Sequence, residues 1–290
     1  MTRPATAATV GMFDGVHLGH RTILDTLTEY CSQTGLEPRV CTFTTHPMAL
    51  LTPERTPVRI STNAERRRLL KEAGVDRVDE LDFADIRALT AREFLERLAE
   101  EGTRALIMGF NNHIGCDRLN AAQAADLGIM PVVEAPVCPG REGISSSAVR
   151  AALADGRVRD AAAMLGRPYT ITGVVASGNR IGRTIGFPTA NISLPEQMLP
   201  ADGVYAVDVE IPGEEAPRRG MANIGMRPTV GGAGRWLEVN IFDYAADLYG
   251  KPVGVRFLER LRAERRFGSL SELQAALEAD RAAARLTPAP

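Results

Sequence analysis

The hydrophobic pattern of the chain changes near residue 166. From residue 5 to about 165, short apolar runs alternate with longer segments in which apolar residues recur every three or four positions. This alternation is typical of strands joined by crossover helices, and it predicts a doubly wound, Rossmann-like parallel sheet. The predicted strands cover residues 9–13, 39–43, 105–109 and 131–134.

Helical spacing marks the segments between these strands. Apolar residues recur at Ile23, Leu24, Leu27, Tyr30 and Cys31, and again at Phe94, Leu95 and Leu98. Two more short helices are predicted at 145–154 and 159–165, and the first begins in a run of serines that can cap free backbone N–H groups. We therefore predict one domain over residues 1–166 and a second over 167–290.

After Arg167 and Pro168 the period of the pattern becomes two. Alternating segments separated by Gly- and Pro-rich turns predict antiparallel strands, and their even spacing favours a β-barrel. The segments are 169–176, 205–211, 221–224, 237–242 and 253–258. A final helix is predicted from Ser269, because Glu272 three residues later forms a capping box with it.

The composition fits two ordinary domains. The chain has 290 residues, of which 44% are hydrophobic and 24% are charged, so it can bury two cores and is not disordered. With 34 basic and 36 acidic side chains, the net charge of -2 provides no long-range attraction to nucleic acid or to an anionic membrane. We expect small-molecule substrates, no nucleic-acid or membrane partner, and a monomer or weak homo-oligomer.

Targeting signals and cysteines add to this picture. The chain begins without a charged leader and an apolar stretch, and nowhere do 18 apolar residues run together, so a cytoplasmic protein is expected. The four cysteines show no CxxC spacing, so we expect reduced thiols and no zinc site.

The distribution of lysine and histidine excludes some chemistry. Only Lys71 and Lys251 are lysines, and neither lies in the Gly-x-x-x-x-Gly-Lys-Ser/Thr pattern of a P-loop. All four histidines precede residue 139. The second half of the chain therefore has no imidazole for proton transfer and would have to use carboxylates.

A candidate phosphate site occupies residues 11–20, GMFDGVHLGH, where the first predicted strand leads into its helix. Ligands bind at this edge of open α/β sheets. His17 and His20 are three residues apart at a helix N-terminus, so their rings share a face beside free N–H groups. Each histidine alone could simply cap or pack, but the pair with flanking glycines favours an anion clamp. The expected nucleotide contacts here are Gly11, Phe13, Asp14, Gly15 and Gly19.

The HxGH pattern occurs in the nucleotidyltransferase superfamily and, in a related form, in class I aminoacyl-tRNA synthetases. Those synthetases add a lysine-rich loop, whereas residues 144–150, ISSSAVR, offer the hydroxyls of Ser145, Ser146 and Ser147 and no lysine. This difference weakens the synthetase interpretation. Arg150 could reach a β- or γ-phosphate, although an ordinary surface ion pair would also account for it.

A second candidate site lies in the barrel half. The glycine-rich segment 178–186 leads directly into the sequence Phe-Pro-Thr-Ala-Asn. Thr189 and Asn191 offer a hydroxyl and an amide two residues apart, hard oxygen donors of the kind that Mg²⁺ accepts beside phosphates and water. A simple turn in which Asn191 satisfies the backbone is the alternative. The expected phosphate contacts are Gly178, Gly182, Gly186 and Pro188.

Taken together, these motifs resemble the prokaryotic bifunctional riboflavin kinase/FAD synthetase family over nearly the whole chain. The resemblance rests on residues 11–20, 144–150, 186–191, 203–206, 223–229, 237–240, 247–250 and 261–267. It implies an α/β nucleotidyltransferase domain followed by an antiparallel β-barrel kinase domain with a C-terminal helix. It also implies that the barrel phosphorylates riboflavin to FMN and that the α/β half transfers AMP from ATP to FMN, giving FAD and pyrophosphate.

The resemblance also implies residue roles and Mg²⁺ as a cofactor. Glu238 matches the kinase base, in the half of the chain that has no histidine, although a solvent-facing strand glutamate is the plain alternative. Thr189 and Asn191 match the magnesium-binding pair, and Arg262 matches the region that closes over the flavin. In the first half, the two histidines of the clamp match phosphate-binding residues, and Asn111 matches a position near the reacting phosphates.

Some positions depart from the family pattern. Asn112 and Ile114 stand where an aromatic residue is usual, and residues 44–45 lack an acidic or proline residue ahead of His46. Lost stacking would weaken FMN affinity rather than catalysis. Two alternatives therefore stay open: a riboflavin kinase with a weakened adenylyltransferase half, and a flavin-binding regulator.

Overall fold

The computed structural model describes residues 4–137, 140, 143–176, 186–193, 196–229 and 232–288. The chain divides into two compact units, Met1–Ser146 and Ser147–Pro290. The boundary predicted after residue 166 stays a prediction, since the units divide two helices earlier, at the start of the helix Ser146–Ala154.

The first unit contains a five-stranded parallel sheet, counted over the described residues, in the order β3-β2-β1-β4-β5. Its strands are β1 (Thr6–Val10), β2 (Glu37–Phe43), β3 (Arg77–Leu81), β4 (Thr103–Gly109) and β5 (Val132–Ala135). The central strand β1 pairs in parallel with both β2 and β4. The predicted parallel α/β fold is confirmed.

Helices cover both faces of this sheet. The α-helices in the described part of this unit are α1 (Leu18–Thr34), α2 (Met48–Leu51), α3 (Asn63–Glu72), α4 (Phe83–Ile86), α5 (Ala91–Glu100) and α6 (Ala121–Ala125). Helix α1 packs Leu24 and Leu27 into one core, and α5 packs Phe94 and Leu95 into the core on the other face. The spacing that predicted these two helices therefore marks their buried faces.

At the sheet, one set of predicted strand bounds was wrong and one strand was not predicted. The first strand covers Thr6–Val10 rather than residues 9–13, because the chain turns away at Gly11 into the loop that leads to α1. Strand β3 was not predicted: its sequence, RVDEL, is mostly polar, and it lies at the edge of the sheet, where β2 is its one neighbour among the described strands.

The second unit begins with α7 (Ser146–Ala154), whose first residue lies at the boundary, and α8 (Val158–Leu165), and it continues as a closed antiparallel barrel. The described strands follow the order β10-β7-β6-β11-β8-β9. They are β6 (Tyr169–Ala176), β7 (Ala190–Ile192), β8 (Gly203–Glu210), β9 (Arg218–Thr229), β10 (Gly232–Ile241) and β11 (Pro252–Arg262). The predicted barrel is confirmed; the three-residue strand β7 was too short to be predicted from its pattern.

The outer face of the barrel is partly covered by the C-terminal helix, α9 (Leu270–Leu286). The helix begins where predicted, because the Ser269 side chain accepts a hydrogen bond from the Glu272 N–H. Ala284 of α9 joins Met221 and Phe242 in a buried apolar cluster. Within the described part of the chain, no helix has the length and apolar character needed to span a bilayer.

Candidate active sites

In the first unit, a tight loop joins β1 to α1 at the carboxyl edge of the sheet. Phe13 and Val16 have positive φ angles of 48° and 41°, a conformation that costs energy in residues with bulky side chains. Both side chains are buried in the core beneath the loop. Packing therefore holds the backbone in a shape that it would otherwise avoid.

A buried carboxylate clamps this loop to the segment that precedes α3. Asp14 accepts hydrogen bonds from the backbone N–H of Ile60 at 3.0 Å and of Ser61 at 3.0 Å. The Ser61 hydroxyl donates to the same carboxylate and accepts from the N–H of Gly15 at 2.9 Å. These contacts direct the Asp14 carboxylate to the protein itself, and the cofactor contact predicted for Asp14 stays a prediction.

The two histidines of the clamp stack on each other at the start of α1. Their ring centroids are 3.7 Å apart with 15° between the planes, and His17 Nδ1 accepts a hydrogen bond from the His20 N–H at 3.2 Å. Burial, and then the neighbouring His17, lowers the pKa of His20 well below its usual value. His20 Nδ1 is buried and has no hydrogen-bond partner among the described residues. The pair therefore offers a neutral His20 ring at the N-terminus of α1.

These rings line a cavity of about 260 Å³ at the carboxyl ends of β1, β4 and β5. Predicted residues that the structure brings together around it are His17, Gly19, His20, Asn111 and Ser146. The cavity is concave and has both polar and apolar walls, as a small-molecule site requires. Its position at the carboxyl edge of a parallel sheet matches the place where such sheets bind nucleotides.

Other predicted residues do not line this cavity. Phe13 is buried and lies behind His20, with 5.1 Å between the ring centroids. A Cβ on Gly15 would lie 2.8 Å from Ile60, so this glycine permits a close approach of the chain to itself. The ligand contacts predicted for Gly11, Phe13, Gly15 and Ser145 stay predictions. Ser147 and Arg150 follow in α7 and belong to the second compact unit, and their roles also stay predictions.

Sequence reasoning missed several residues that line the cavity, and the structure places the two departures from the family pattern differently. Phe110, which is 60% exposed, lines the cavity together with Ile23; an exposed aromatic directly after a strand could have signalled it. Asn112 lines the cavity as well, and its Nδ2 lies 3.4 Å from the Val10 carbonyl. Ile114 packs into the core.

In the second unit, three polar side chains lie side by side on neighbouring strands. Glu238 of β10 is directly opposite Asn191 of β7 and, on its other side, Asn223 of β9. Residues directly opposite in antiparallel strands share a face, so Asn191, Glu238 and Asn223 form one row, which we call the polar row. The neighbours Leu237 and Val239 are buried on the opposite face.

The residues before β7 lie next to this row. Thr189 precedes Asn191 by two positions. Just before it, the carbonyl of Pro188 accepts a hydrogen bond from Asn240 Nδ2 at 2.6 Å. A cavity of about 710 Å³ adjoins Thr189. Residues 244–249 form much of its wall, including Tyr244 and Tyr249, and sequence reasoning assigned them no role.

The segment 263–268, which we call the strap, connects β11 to α9. Arg262, the last residue of β11, directly precedes the strap. Its guanidinium makes a bidentate ion pair with the nearly buried Asp280 of α9, with Nη2–Oδ2 at 2.8 Å. It also lies 5.5 Å from the centroid of the Phe267 ring. The flavin contact predicted for Arg262 stays a prediction, and the partner that the structure provides is Asp280.

Two parts of the predicted second site cannot be placed. Gly178 and Gly182 lie outside the described residues, and Gly186 is exposed just before Phe187. Across the described ranges, no three His, Cys, Asp or Glu residues cluster as a metal site.

Comparison with known proteins identifies both halves. The family model described as riboflavin kinase matches residues 165–287, and the one described as FAD synthetase matches residues 1–148. A solved structure from Streptococcus pneumoniae, described as a macrolide-efflux protein, shares the fold with a TM-score of 0.92 and 36% identity, covering 99% of this chain and 95% of that one.

Curated relatives match along almost the full length. Bifunctional riboflavin kinase/FMN adenylyltransferases from Pseudomonas fluorescens and Escherichia coli K12 are each 41% identical, over 292 and 285 residues. These alignments cover 98% and 96% of this chain and 93% and 91% of the relatives. The chain therefore belongs to the bifunctional riboflavin kinase/FMN adenylyltransferase family, whose two activities lead from riboflavin through FMN to FAD.

Proposed function

We propose that the polar row is the riboflavin kinase site and that Glu238 is its general base. Glu238 takes the proton of the terminal ribityl hydroxyl, whose oxygen attacks the γ-phosphorus of ATP while the bond to the β–γ bridging oxygen breaks. FMN forms and ADP leaves. The observation that carries this proposal is the register, which sets Glu238 directly opposite Asn191 and near Thr189. A base within reach of a positioned hydroxyl is what such a transfer requires.

Thr189 and Asn191 are the residues proposed to hold Mg²⁺. Their donors are a hydroxyl and an amide oxygen, and Mg²⁺ commonly combines few protein oxygens with water and substrate phosphates. The fit is supported by the Asn240 hydrogen bond to Pro188, which fixes the backbone just before Thr189. When bound, the ion would neutralise phosphate charge; the protein's part is to orient the two oxygens.

We assign the base and ribose of ATP to the cavity of about 710 Å³ that adjoins Thr189. Val239 and Ile241 form an apolar wall, and Tyr244 and Tyr249 add aromatic surface. Such walls suit a flat heterocycle, and the opening at Thr189 would let the phosphates extend toward the polar row.

The variant Glu238→Gln tests this site, because it removes the base and keeps the shape. FMN formation from riboflavin and ATP should fall by about a thousandfold. FAD formation from added FMN and ATP should stay within about twofold of the parent chain, since that reaction has its own site. Chromatography of the flavins measures both. Near-normal FMN formation would refute the assignment of Glu238.

We assign adenylyl transfer to the cavity lined by His17 and His20. An oxygen of the FMN phosphate attacks the α-phosphorus of ATP, the bond to the β-phosphate breaks, and pyrophosphate leaves. The nucleophile is already an anion, so no base is needed. Neutral imidazole N–H groups and the N-terminus of α1 would donate hydrogen bonds to phosphate oxygens as charge develops. Asn111 and Ser146, which also line the cavity, would orient the phosphates.

The variant His20→Ala should lower pyrophosphate release from FMN and ATP by about a hundredfold or more and leave riboflavin phosphorylation unchanged. His113→Ala is the matched control, because His113 is exposed and does not line the cavity. It should leave both reactions within about twofold. Equal losses in the two variants would refute the histidine assignment.

We further propose a cytoplasmic monomer or weak homo-oligomer. ATP and reduced thiols are found in that compartment, and both Cys31 and Cys41 are free and buried. Light scattering across a concentration series tests the oligomeric state, and a stable dimer at low concentration would contradict it.

A further inference from the structure

One end of the polar row carries a buried polar atom that nothing in the described residues satisfies. Asn223 Oδ1 is shielded from solvent and accepts no hydrogen bond within that part of the chain. Buried amide oxygens are nearly always paired, so an unpaired one next to a reaction site indicates a ligand that donates to it. Its neighbour across the strands is Glu238.

The orientation of the Asn223 amide follows from its other neighbour. Nδ2 lies 3.5 Å from Oε1 of Glu264 in the strap. An ionised carboxylate can only accept hydrogen bonds, so the NH₂ group faces Glu264 and the oxygen faces away from it. Asn240 on the same face differs, because its amide donates to the Pro188 carbonyl.

Close packing places Glu264 against strand β9. A Cβ at Gly225 would lie 2.2 Å from Glu264 Oε1 and 2.8 Å from its Cδ, so a larger residue there would push the carboxylate away from the strand. The ion pair of Arg262 with Asp280 anchors the start of the strap. The contact between Glu264 and Asn223 is thus supported from two sides.

The chemistry of the two substrates decides which one satisfies the oxygen. Phosphate oxygens of ATP accept hydrogen bonds, whereas the ribityl chain of riboflavin carries hydroxyls that donate them. In-line phosphoryl transfer brings the acceptor chain from the side opposite the nucleotide. With ATP and Mg²⁺ on the Asn191 side of Glu238, the acceptor lies on the Asn223 side.

The spacing of the row selects one hydroxyl. Directly opposed residues on antiparallel strands have Cα atoms about 4.5–5.5 Å apart, so Asn223 and Glu238 reach neighbouring groups on one ligand chain. We propose that Asn223 determines substrate specificity by accepting a hydrogen bond from the 4′-hydroxyl of riboflavin, and that Glu264 is the positioning residue that orients its amide. This inference rests on the proposed role of Glu238.

The test compares riboflavin with 4′-deoxyriboflavin as substrates of the full chain. The parent chain should show a kcat/KM at least about tenfold higher for riboflavin, because the analogue leaves Asn223 Oδ1 unpaired. Asn223→Ala should lose activity with riboflavin, and the ratio between the two substrates should fall to within about twofold. A variant that merely loosens the fold would lower kcat/KM equally for both substrates and would keep their ratio.

Two more variants sharpen the result. Glu264 lies on the exposed strap, and in Glu264→Gln the new side chain can donate as well as accept, so it no longer fixes the Asn223 amide. The ratio of kcat/KM values between the two substrates should then fall between those of the parent and of Asn223→Ala. The same variant serves as the test if Asn223→Ala does not fold. Asn240→Ala is the matched asparagine control: it should lower kcat/KM for both substrates, because Asn240 holds Pro188 in front of Thr189, and it should keep the parental ratio.

The inference would be overturned if Asn223→Ala kept the parental ratio of kcat/KM between the two substrates. It would also be overturned if raised Mg²⁺ restored the activity of Asn223→Ala with both substrates, and that result would assign Asn223 Oδ1 to the metal. The Glu238→Gln assay fails or succeeds separately, because it measures turnover of riboflavin and not discrimination between two substrates.

Discussion

The two phosphate-handling sites that we propose for this chain are built in different ways. The site of the first unit sits on a loop with positive φ angles, held by a buried carboxylate and packed side chains. The site of the second unit is a row of side chains set by the register of three antiparallel strands. The geometry of the loop site depends on a few side-chain contacts, whereas the geometry of the polar row depends on strand pairing, which many backbone hydrogen bonds maintain.

The chemistry explains the different residues. FMN presents an anionic phosphate, so the first site needs hydrogen-bond donors, and on our proposal the two histidines and the N-terminus of α1 supply them. Riboflavin presents a hydroxyl that must lose a proton, so the second site needs a carboxylate. Breaking the supports should therefore unfold the first site locally and distort the second one slightly.

The largest effect is expected from Asp14→Ala. The carboxylate accepts buried hydrogen bonds from Ile60 and Ser61, and removing it leaves these donors unpaired at a cost of about 3 kcal/mol. Adenylyl transfer should be lost and riboflavin phosphorylation retained. Urea unfolding gives the stability change, and hydrogen exchange should show lost protection at residues 60–61.

Asp126→Ala is the control for this change, since Asp126 is exposed at the end of α6. It should shift stability by less than about 0.5 kcal/mol. Retained protection at residues 60–61 in Asp14→Ala would show that packing alone shapes the loop.

The next effect tests the support of the second site. Asp280→Ala removes the bidentate partner of Arg262, and because Arg262 is partly exposed, the expected loss of stability is about 2 kcal/mol. Riboflavin phosphorylation should fall several-fold through a raised KM, since the strap loses its anchor. FMN adenylylation should not change. Steady-state kinetics with each flavin measures this.

A surface ion pair of α9 provides the control. Arg285 pairs with Asp243, whose side chain is 74% exposed, and Asp243→Asn should cost less than about 1 kcal/mol. If both variants behaved alike, the contact between Arg262 and Asp280 would be an ordinary surface pair.

Much of the fold followed from the sequence because hydrophobic period reports burial directly. The amphipathic α1 and α5 and the alternating β6 bury the residues that the period selects, whereas β8 buries almost every residue and β11 buries consecutive ones. Strand β3 was not predicted because it is a polar edge strand, and β7 was not predicted because three residues are too few to show a period. Pairing with distant strands, and not local pattern, makes both of them strands.

The candidate sites followed only in part. The histidine pair, Thr189, Asn191 and Glu238 carry side-chain chemistry that a sequence displays. The clamp of Asp14 on residues 60–61 joins positions 46 and 47 residues apart, and a sequence does not display such a contact. Asn223 was missed as a single residue for the same reason: its position beside Glu238 depends on strand register.

A smaller effect concerns pH and the first site only. Because burial lowers the pKa of His20, the unfolded chain binds a proton near pH 6.5 while the folded chain does not. Stability contributed by the neutral ring is therefore present above about pH 6.5 and is lost as the pH falls below that value. Urea unfolding between pH 8 and pH 5 should show a steeper decline in the parent chain than in His20→Gln. Parallel curves would contradict a lowered pKa.

The smallest effect is expected from Gly19→Ala in the first turn of α1. An added Cβ would lie 3.2 Å from Cε1 and Nδ1 of His17, so the ring must shift by a few tenths of an ångström. Misplacement on this scale should slow adenylyl transfer by about threefold. Alanine also favours the helix, so stability should rise by about 0.5 kcal/mol. Pyrophosphate release and urea unfolding measured on the same preparation should therefore move in opposite directions, and a parallel loss of both would show that the methyl group disturbs the fold and not the histidine. Ser32→Ala, an exposed change in the same helix, should leave the rate unaltered.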